Sequence, residues 1–253
     1  MGVLDGRCAI VTGAARGIGR GIALALGKEG ARLVLIDLLE RELMATAEEL
    51  RATGVVDTAT VVGSVSDQRV VDETVALAEQ EFGGVDILIN NAQASRPGLS
   101  FVDHEDRDLE ICLQSGVWGT FRMMRACHPK MKGRGGSIVN LASPAGTHGL
   151  QGFAAYAAAK EAIRGLTKVA ATEWGPDGIT VNCICPSAET EASAAFDAAN
   201  PGFREAQTMQ RAIRRNGHVE SDIGRTVVFL VGPDSTFITG MTVMANGGST
   251  IYP

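Results

Sequence analysis

Two residues in the second half of the chain, Tyr156 and Lys160, have the spacing of a proton-transferring pair. They lie four positions apart in a stretch of helical period, so their side chains share one face of the helix. A free tyrosine has a pKa of about 10, and a neighbouring ammonium group favours the phenolate. In isolation the same spacing also fits an ordinary pair on a surface helix. If the two residues form a catalytic pair, their spacing predicts that Tyr156 acts as a general acid and base.

A glycine-rich turn near the N-terminus indicates a phosphate-binding loop. The run Thr12-Gly13-Ala14-Ala15-Arg16-Gly17-Ile18-Gly19 follows an apolar segment and opens a helix. Glycines allow a tight turn and close backbone approach to a pyrophosphate, which the N–H groups and dipole of the helix N-terminus stabilise. The predicted contacts of this loop with a dinucleotide cofactor are Gly13, Arg16, Gly17, Ile18 and Gly19.

Asp37 indicates which dinucleotide binds. It ends the second predicted strand, 18 residues after Gly19, near the spacing of a carboxylate that binds the adenosine ribose. Such a carboxylate accepts hydrogen bonds from the ribose hydroxyls and repels the extra phosphate of NADP, which favours NAD. Arg16 argues the other way, because a cation in the loop can pair with that phosphate. NADP is the second choice, since no basic residue follows Asp37 at positions 38 and 39.

Alternating strands and helices must position these residues. Short apolar runs alternate with longer segments of helical period, which is typical of a parallel sheet covered by helices. The predicted strands are Arg7–Thr12, Arg32–Asp37, Thr58–Val62, Val85–Asn90, Gly136–Leu141, Ile179–Ile184 and Thr242–Ala245. The predicted helices are Gly17–Glu29, Glu40–Thr53, Asp67–Phe82, Asp106–Lys132, Ala154–Trp174 and Glu220–Val231. The expected fold is an α/β, Rossmann-type doubly wound parallel sheet of about seven strands with helices on both faces.

The length of 253 residues fits one domain over 1–253. Residues 187–216 interrupt the alternation and are rich in alanine and polar residues, so we interpret them as a partly helical, substrate-binding lid over the crevice. A surface excursion without a catalytic purpose is the alternative. Apolar lid residues that can cover a ligand are Ala194, Ala195, Phe196 and Phe203, whereas Arg204 can receive a carboxylate or an acyl carrier.

Composition and charge exclude several classes of function. The net charge is −6, which argues against a nucleic-acid partner, because such proteins normally carry a basic stripe. No run approaches the roughly 20 apolar residues of a membrane span, and no secretory signal opens the chain. Five scattered cysteines suit a reducing, cytoplasmic location. The four histidines lack metal-ligand spacing, so no catalytic metal is expected.

The motifs together resemble the short-chain dehydrogenase/reductase family over nearly the whole chain. The matching residues are Thr12 to Gly19, Asn90-Asn91-Ala92, Ser143 and Tyr156-Ala157-Ala158-Ala159-Lys160. The resemblance implies that Ser143 hydrogen-bonds the substrate oxygen and that Lys160 also holds the nicotinamide ribose. Tyr156 then exchanges a proton while hydride moves between NAD and an alcohol or ketone carbon. Further cofactor contacts are implied at Ser64, Val65, Asn91 and Pro186.

Two departures from the family pattern concern the proton path. Gln93 replaces the glycine after Asn-Asn-Ala and adds a polar side chain near the crevice, where it is a predicted substrate contact. Gly116 stands where the family usually has an asparagine that supports a helix distortion and an ordered water leading from the lysine to solvent. Glycine still permits the distortion. We hypothesise that Gln93, Gln114 or Ser115 supplies a hydrogen-bonding group instead.

Two further departures lie at the cofactor site. Ser64 stands where an aspartate before Val65 commonly contacts adenine, and Ser187 replaces the glycine after Pro186. The family resemblance also implies a homotetramer. In it, helices 106–132 and 154–174 form one interface and the C-terminal strand forms another.

Three functions compete on this reading. The leading one is an NAD-dependent dehydrogenase of secondary alcohols or ketones, with an apolar and cyclic substrate suggested by the uncharged residues near the site. A reductase of 3-oxoacyl thioesters that uses NADPH is the enzyme alternative, motivated by Arg204. A dinucleotide-sensing binding protein with impaired catalysis is the third, motivated by Gly116 and Gln93. The complete set of Ser143, Tyr156 and Lys160 argues against it.

Overall fold

The computed structural model describes residues 2–55 and 57–251, apart from the side chains of Ala192, Phe203, Arg204, Gln207 and Gln210. Within them, the strands are β1 (Cys8–Thr12), β2 (Arg32–Asp37), β3 (Thr58–Val62), β4 (Ile87–Asn90), β5 (Gly136–Leu141), β6 (Ile179–Pro186) and β7 (Thr242–Ala245). They pair in parallel in the order β3-β2-β1-β4-β5-β6-β7. The predicted fold class is therefore confirmed.

The helices of these residues are α1 (Gly17–Lys28), α2 (Glu40–Ala52), α3 (Gln68–Phe82), α4 (Asp106–Cys112), α5 (Gly119–Met131), α6 (Pro144–His148), α7 (Ala154–Trp174), α8 (Glu191–Ala199), α9 (Phe203–Gln210) and α10 (Arg225–Val231). They cover both faces of the sheet, so β1 and β4 are buried throughout. On β1, Ala9 and Val11 join the core under α1 and α10. Cys8 and Ile10 join the opposite core, under α3 and α5. This alternation follows from the two-residue period of a strand.

The order of the strands creates a crevice. From β1 the sheet grows through β2 to β3 on one side, and from β4 to β7 on the other. Helices after β1 and β4 therefore turn to opposite sides, leaving a gap outside the carboxyl ends of these two strands. Val11 pairs with Leu35 of β2 and with Ile89 of β4. This register brings the ends of the three strands level.

Three local features differ from the predicted elements. The helix predicted over 106–132 contains a π turn at Leu113–Trp118 that separates α4 from α5, and the last predicted helix starts with a π turn at Val219–Gly224. Hydrophobic periodicity does not distinguish a π turn from α-helix. Helix α6 was not predicted, because five residues are too few for a period. Its signal was Ser143 followed by Pro144, an N-cap and an N1 proline.

The segment 187–216 is partly helical, as predicted, and consists of α8 and α9 with their connections. Thr190 caps α8, since its hydroxyl accepts a hydrogen bond from the Ser193 backbone N–H at 3.1 Å. The side chains of Phe203 and Arg204, to which the sequence assigned substrate contacts, lie outside the described residues. In the described part of the chain, no helix is long and apolar enough to cross a membrane.

Candidate active site

A cavity of about 890 Å³ lies at the carboxyl ends of the strands and is lined by residues that follow β1 to β6. The residues predicted from the sequence that line it are Gly13, Arg16, Gly17, Ile18, Asp37, Ser64, Val65, Asn91, Gln93, Ser143, Tyr156 and Pro186. Gly19 and Lys160 are buried and stand outside this lining. The fold thus brings nearly all the predicted residues to one cavity.

The glycine loop has the shape that its sequence requires. Gly13 and Gly17 have φ angles of +66° and +56°, in the left-handed region that favours glycine. A Cβ on Gly19 would lie 2.0 Å from the Gly13 carbonyl oxygen, so only glycine allows the first helical turn to approach the loop. The backbone N–H groups at the start of α1 form a cradle that fits a pyrophosphate.

Asn91 holds this loop in place. Its Nδ2 donates hydrogen bonds to the carbonyl oxygens of Thr12 and Gly13, both at 2.9 Å. Thr12 adds a second tie, because its Oγ1 accepts hydrogen bonds from the backbone N–H groups of Asn91 and Ala92 at 2.9 and 3.0 Å. Sequence reasoning gave Thr12 no role of its own. Its only signal was a polar side chain at the end of an apolar strand.

The Asp37 carboxylate faces the cavity from the end of β2. Its Oδ2 accepts a hydrogen bond from the Ala15 N–H at 3.0 Å, and its Oδ1 accepts one from the Leu39 N–H at 3.1 Å. These bonds fix the carboxylate beside the glycine loop while leaving lone pairs for hydroxyl donors. Ser64, at the adenine end predicted from the sequence, hydrogen-bonds Ser66 through the two hydroxyl oxygens at 2.6 Å.

Ser143, Tyr156 and Lys160 meet on the other side of the cavity. Ser143 follows β5 and lines the cavity together with Tyr156, and its hydroxyl oxygen accepts a hydrogen bond from the Ala145 N–H at 3.1 Å. The Lys160 ammonium donates a hydrogen bond to the Leu141 carbonyl oxygen at 2.7 Å and lies 5.4 Å from the centre of the Tyr156 ring. The pair predicted from i,i+4 spacing is therefore in place on α7, facing the end of β5.

Burial determines the protonation of both groups. It raises the pKa of Tyr156 to about 12, an effect that the Ser143 side chain opposes. It lowers the pKa of Lys160 to about 8. For Tyr156, burial acts against the neighbouring ammonium on which the spacing argument rested, and that argument did not count the loss of hydration. A phenol with this pKa is protonated near neutral pH.

The three side chains considered as substitutes for the missing asparagine differ in position. Gln114 is half-buried, and its Nε2 donates a hydrogen bond to Glu110 Oε1 at 2.6 Å. Ser115 lines the cavity, and its hydroxyl donates to the Ile111 carbonyl oxygen at 2.7 Å. Gln93 also lines the cavity, and its Nε2 donates to the Ala94 carbonyl oxygen at 2.9 Å. The amide donors of Gln93 are thus directed at the protein backbone rather than at a substrate.

Arg211 lies at the site, although sequence reasoning assigned it no role there. It is 6% exposed and lines the cavity. Its Nη2 donates a hydrogen bond to the Ser187 hydroxyl at 2.7 Å. Ser187, which replaces the family's glycine, therefore makes a hydrogen bond that a glycine at this position could not make. Among the described residues, no group of three or more His, Cys, Asp or Glu side chains is arranged to hold a metal ion.

Comparison with known proteins identifies the family. Residues 13–250 match a family model described as enoyl-(acyl carrier protein) reductase. The chain is 43% identical over 257 residues to a 12α-hydroxysteroid dehydrogenase of Clostridium sp., covering 98% of both chains. It is 35% identical over 244 residues to a 3-oxoacyl-(acyl-carrier-protein) reductase of Staphylococcus aureus, covering 96% of this chain and 97% of the relative. The chain belongs to the short-chain dehydrogenase/reductase family.

A solved structure agrees with this assignment. The crystal structure of a putative short-chain alcohol dehydrogenase from Sinorhizobium meliloti is similar with a TM-score of 0.90 and 32% identity, covering 97% of each chain. As a short-chain dehydrogenase/reductase, the protein is an oxidoreductase that acts on CH–OH groups. The family implies a nicotinamide dinucleotide as cofactor, and the glycine cradle and the Asp37 carboxylate fit such a group. The interpretation as an enzyme is confirmed, and the binding-protein alternative is not favoured.

Proposed function

We propose that the protein is an NAD(H)-dependent dehydrogenase that oxidises a secondary hydroxyl group, or reduces the matching ketone, on a rigid, apolar substrate of the hydroxysteroid class. The observation that carries the proposal is the position of Ser143 and Tyr156 on the wall of a cavity whose neighbouring wall is aromatic. The 43% identity to a hydroxysteroid dehydrogenase over 98% of both chains supports the substrate class.

Phe153 and Phe196 form that aromatic wall. The Phe153 ring lies 6.1 Å from the Tyr156 ring and 5.9 Å from the Phe196 ring, measured between centroids. Both phenylalanines line the cavity, together with Leu150. Phe196 belongs to α8, so the segment 187–216 contributes one side of the wall and acts as the lid. Flat aromatic surfaces favour contact with an apolar ring system.

The chain's own residues handle the proton. The nicotinamide group supplies the hydride acceptor or donor when it is bound. Ser143 donates a hydrogen bond to the substrate oxygen, and the Tyr156 hydroxyl gives its proton to that oxygen as a ketone becomes an alcohol. In the reverse direction the Tyr156 phenolate takes the proton of the hydroxyl group. The Lys160 ammonium, which lies 5.4 Å from the centre of the Tyr156 ring, stabilises that phenolate.

The preference for NAD follows from charge. The Asp37 carboxylate, fixed by the Ala15 and Leu39 N–H groups, repels a phosphate on the adenosine ribose. Arg16 lines the same part of the cavity and has the opposite effect. We expect NAD to bind more tightly than NADP, and Asp37→Asn to narrow the difference by removing the repulsion. Titration of protein fluorescence with NADH and NADPH measures both affinities.

The decisive experiment is a turnover assay with wild-type protein and Tyr156→Phe. Reduced-nicotinamide absorbance is followed with hydroxysteroids, simple secondary alcohols, the matching ketones and 3-oxoacyl thioesters. We expect turnover of hydroxysteroids with NAD, and a loss of about 100-fold or more in kcat for Tyr156→Phe. NADH binding by the variant is the control, because it shows that the cofactor site is intact.

The pH dependence of the two directions gives a further check. Since the pKa of Tyr156 is about 12, reduction uses the protonated form that dominates near neutral pH, whereas oxidation needs the phenolate. The rate of alcohol oxidation is therefore expected to rise with pH.

Turnover of 3-oxoacyl thioesters alone would replace the proposal with the reductase alternative, which the 35% identity to the S. aureus enzyme supports. All five cysteines are buried free thiols, so we propose the reducing cytoplasm as the location.

A further inference from the structure

Gln93 and Gly116, the two departures from the family pattern near the proton path, are in direct contact. A Cβ on Gly116 would lie 2.2 Å from Gln93 Oε1, 2.9 Å from its Cδ and 3.1 Å from its Nε2. The carboxamide of Gln93 therefore fills the space that any side chain at position 116 needs. Residue 116 has to be glycine for as long as residue 93 is glutamine in this conformation.

The orientation of the carboxamide is fixed by its surroundings. Its Nε2 donates to the carbonyl oxygens of Ala94 at 2.9 Å and Cys112 at 3.2 Å, and lies 3.4 Å from the Ser115 hydroxyl oxygen. The opposite orientation would direct Oε1 at two carbonyl oxygens, which repel it. In the observed one, Oε1 is buried against Gly116 without a hydrogen-bond partner among the described residues. A buried, unpaired oxygen is costly, so packing and the amide donors must hold it there.

These contacts join the loop after β4 to the π turn that precedes α5. Cys112, whose carbonyl oxygen receives the Gln93 amide, is the last residue of α4. At the next turn the Gly119 N–H donates to the Gln114 carbonyl oxygen, five residues back, as a π turn requires. The side chains of Cys112 and Val117 pack with Ala155, Ala159 and Tyr156 of α7. Gln93 is thus linked through the π turn to the surface that contacts the proton-transferring tyrosine.

We propose that Gln93 is a positioning residue: its carboxamide occupies the space left by Gly116 and locks the π turn against Tyr156. The proposal rests on the proposed role of Tyr156 in hydride transfer but not on the steroid substrate. Gln93 touches the backbone of the turn and acts through it, which distinguishes it from a residue that binds substrate. Positions 93 and 116 must then change together, since glutamine at one excludes a side chain at the other.

A double-mutant cycle tests this lock, with Gln93→Ala, Gly116→Ala and the combination. Gln93→Ala removes all three atoms that an alanine at position 116 would strike. In the wild-type background, Gly116→Ala is expected to lower the melting temperature by about 5 °C through overpacking. In the Gln93→Ala background, Gly116→Ala is expected to raise the melting temperature slightly, because alanine forms helix better than glycine. An equal fall in melting temperature in both backgrounds would disprove the proposed contact, whichever substrate the enzyme uses.

Kinetics separate positioning from stability. Gln93→Ala is expected to reduce kcat by about 10- to 100-fold through misplacement of Tyr156, with the affinity for NADH unchanged. Gln93→Ala/Gly116→Asn returns a carboxamide to the same space from the helix and is expected to recover much of kcat. Gln114→Ala removes a matched glutamine on the same turn, whose side chain donates to Glu110 instead, and this variant should behave as wild type. A wild-type kcat for Gln93→Ala would disprove the positioning role. Absence of turnover by the wild-type protein would instead count against the proposed function.

Discussion

Lys160 is a charged group that the fold holds almost without water. It is 3% exposed, and its ammonium has a hydrogen bond to the Leu141 carbonyl oxygen. Burial lowers its pKa from 10.5 to about 8. Keeping the buried lysine protonated at neutral pH therefore lowers the free energy of unfolding. At the residue scale, the site has an intrinsic conflict between stability and chemistry, which is common where a buried charge serves catalysis.

The sign of this effect is testable with Lys160→Met. Between pH 8 and pH 10.5 the unfolded state binds the lysine proton more firmly than the folded state, so this group's contribution to stability rises with pH in that window. Near pH 7 the full penalty is present. We expect Lys160→Met to raise the free energy of unfolding at pH 7 by about 1 to 3 kcal/mol. The same variant should lose turnover.

Urea unfolding at pH 7 and pH 9.5 measures the difference. The gain in free energy of unfolding from Lys160→Met should be smaller by roughly half at pH 9.5, because the wild-type lysine is then mostly neutral in the folded state. Lys168→Met on the same helix is the matched control and should show no gain, since Lys168 is exposed. A gain for Lys160→Met that is independent of pH would show that side-chain packing, rather than charge burial, sets the stability.

At the scale of elements, loops placed by the strands carry most of the cofactor site. The glycine loop depends on Asn91, which follows β4 and bonds the Thr12 and Gly13 carbonyl oxygens. Strand pairing alone sets how close they come, because Val11 and Ile89 are partners in the sheet. The loop is therefore held by a neighbour that is 78 residues away along the chain.

Asn91→Ala should loosen this loop. We expect the affinity for NADH to fall by about tenfold, because two hydrogen bonds that fix the cradle are lost, while kcat at saturating cofactor changes little. Fluorescence titration and steady-state kinetics separate the two effects. Asp67→Ala removes the N-cap of α3, whose carboxylate accepts from the Arg69 N–H at 2.9 Å. Asp67→Ala should lower the free energy of unfolding by a similar amount at a position away from the loop. It should keep the wild-type affinity for NADH. Equal losses of affinity would mean that Asn91 acts only through global stability.

Helix α8 brings Phe196 to the cavity wall that we propose to contact the substrate. Phe196→Ala should raise KM for an apolar ring substrate by about 10-fold or more, because it removes buried aromatic area at the contact. The affinity for NADH should stay the same. Steady-state kinetics on hydroxysteroids and on a small secondary alcohol provide the comparison, since the small substrate should be affected less. An equal rise in KM for both substrates would indicate a general collapse of the lid rather than a lost contact.

On the scale of the whole molecule, two exposed apolar surfaces coincide with the interfaces that the family resemblance implies. Trp118 and Phe121 lie at the start of α5 with rings 6.1 Å apart and are both partly exposed. Phe237 and Met241, which precede β7, are exposed as well. Large exposed apolar side chains commonly mark contacts between subunits. These surfaces support the homotetramer that we propose.

Light scattering coupled to size exclusion tests this assembly. We expect a tetramer for the wild type, and dimers for Trp118→Asp and for Phe237→Asp, because each introduces a charge into one of two interfaces. Met44→Asp, on α2 and away from both surfaces, should remain a tetramer. A monomeric wild-type protein would refute the assembly and leave these side chains without an explanation.

The sequence by itself determined the fold class, the seven strands and the motif residues that line the cavity. It could do so because buried strands read as apolar runs, and because the glycine loop, Asp37 and the Tyr156–Lys160 pair depend on local spacing. Only the tertiary structure decided what depends on contacts between distant segments. The burial that raises the pKa of Tyr156, the π turn at Leu113–Trp118 and the contact between Gln93 and Gly116 belong to that group. Periodicity shows which residues are buried, but it does not show which side chain fills the space that another leaves.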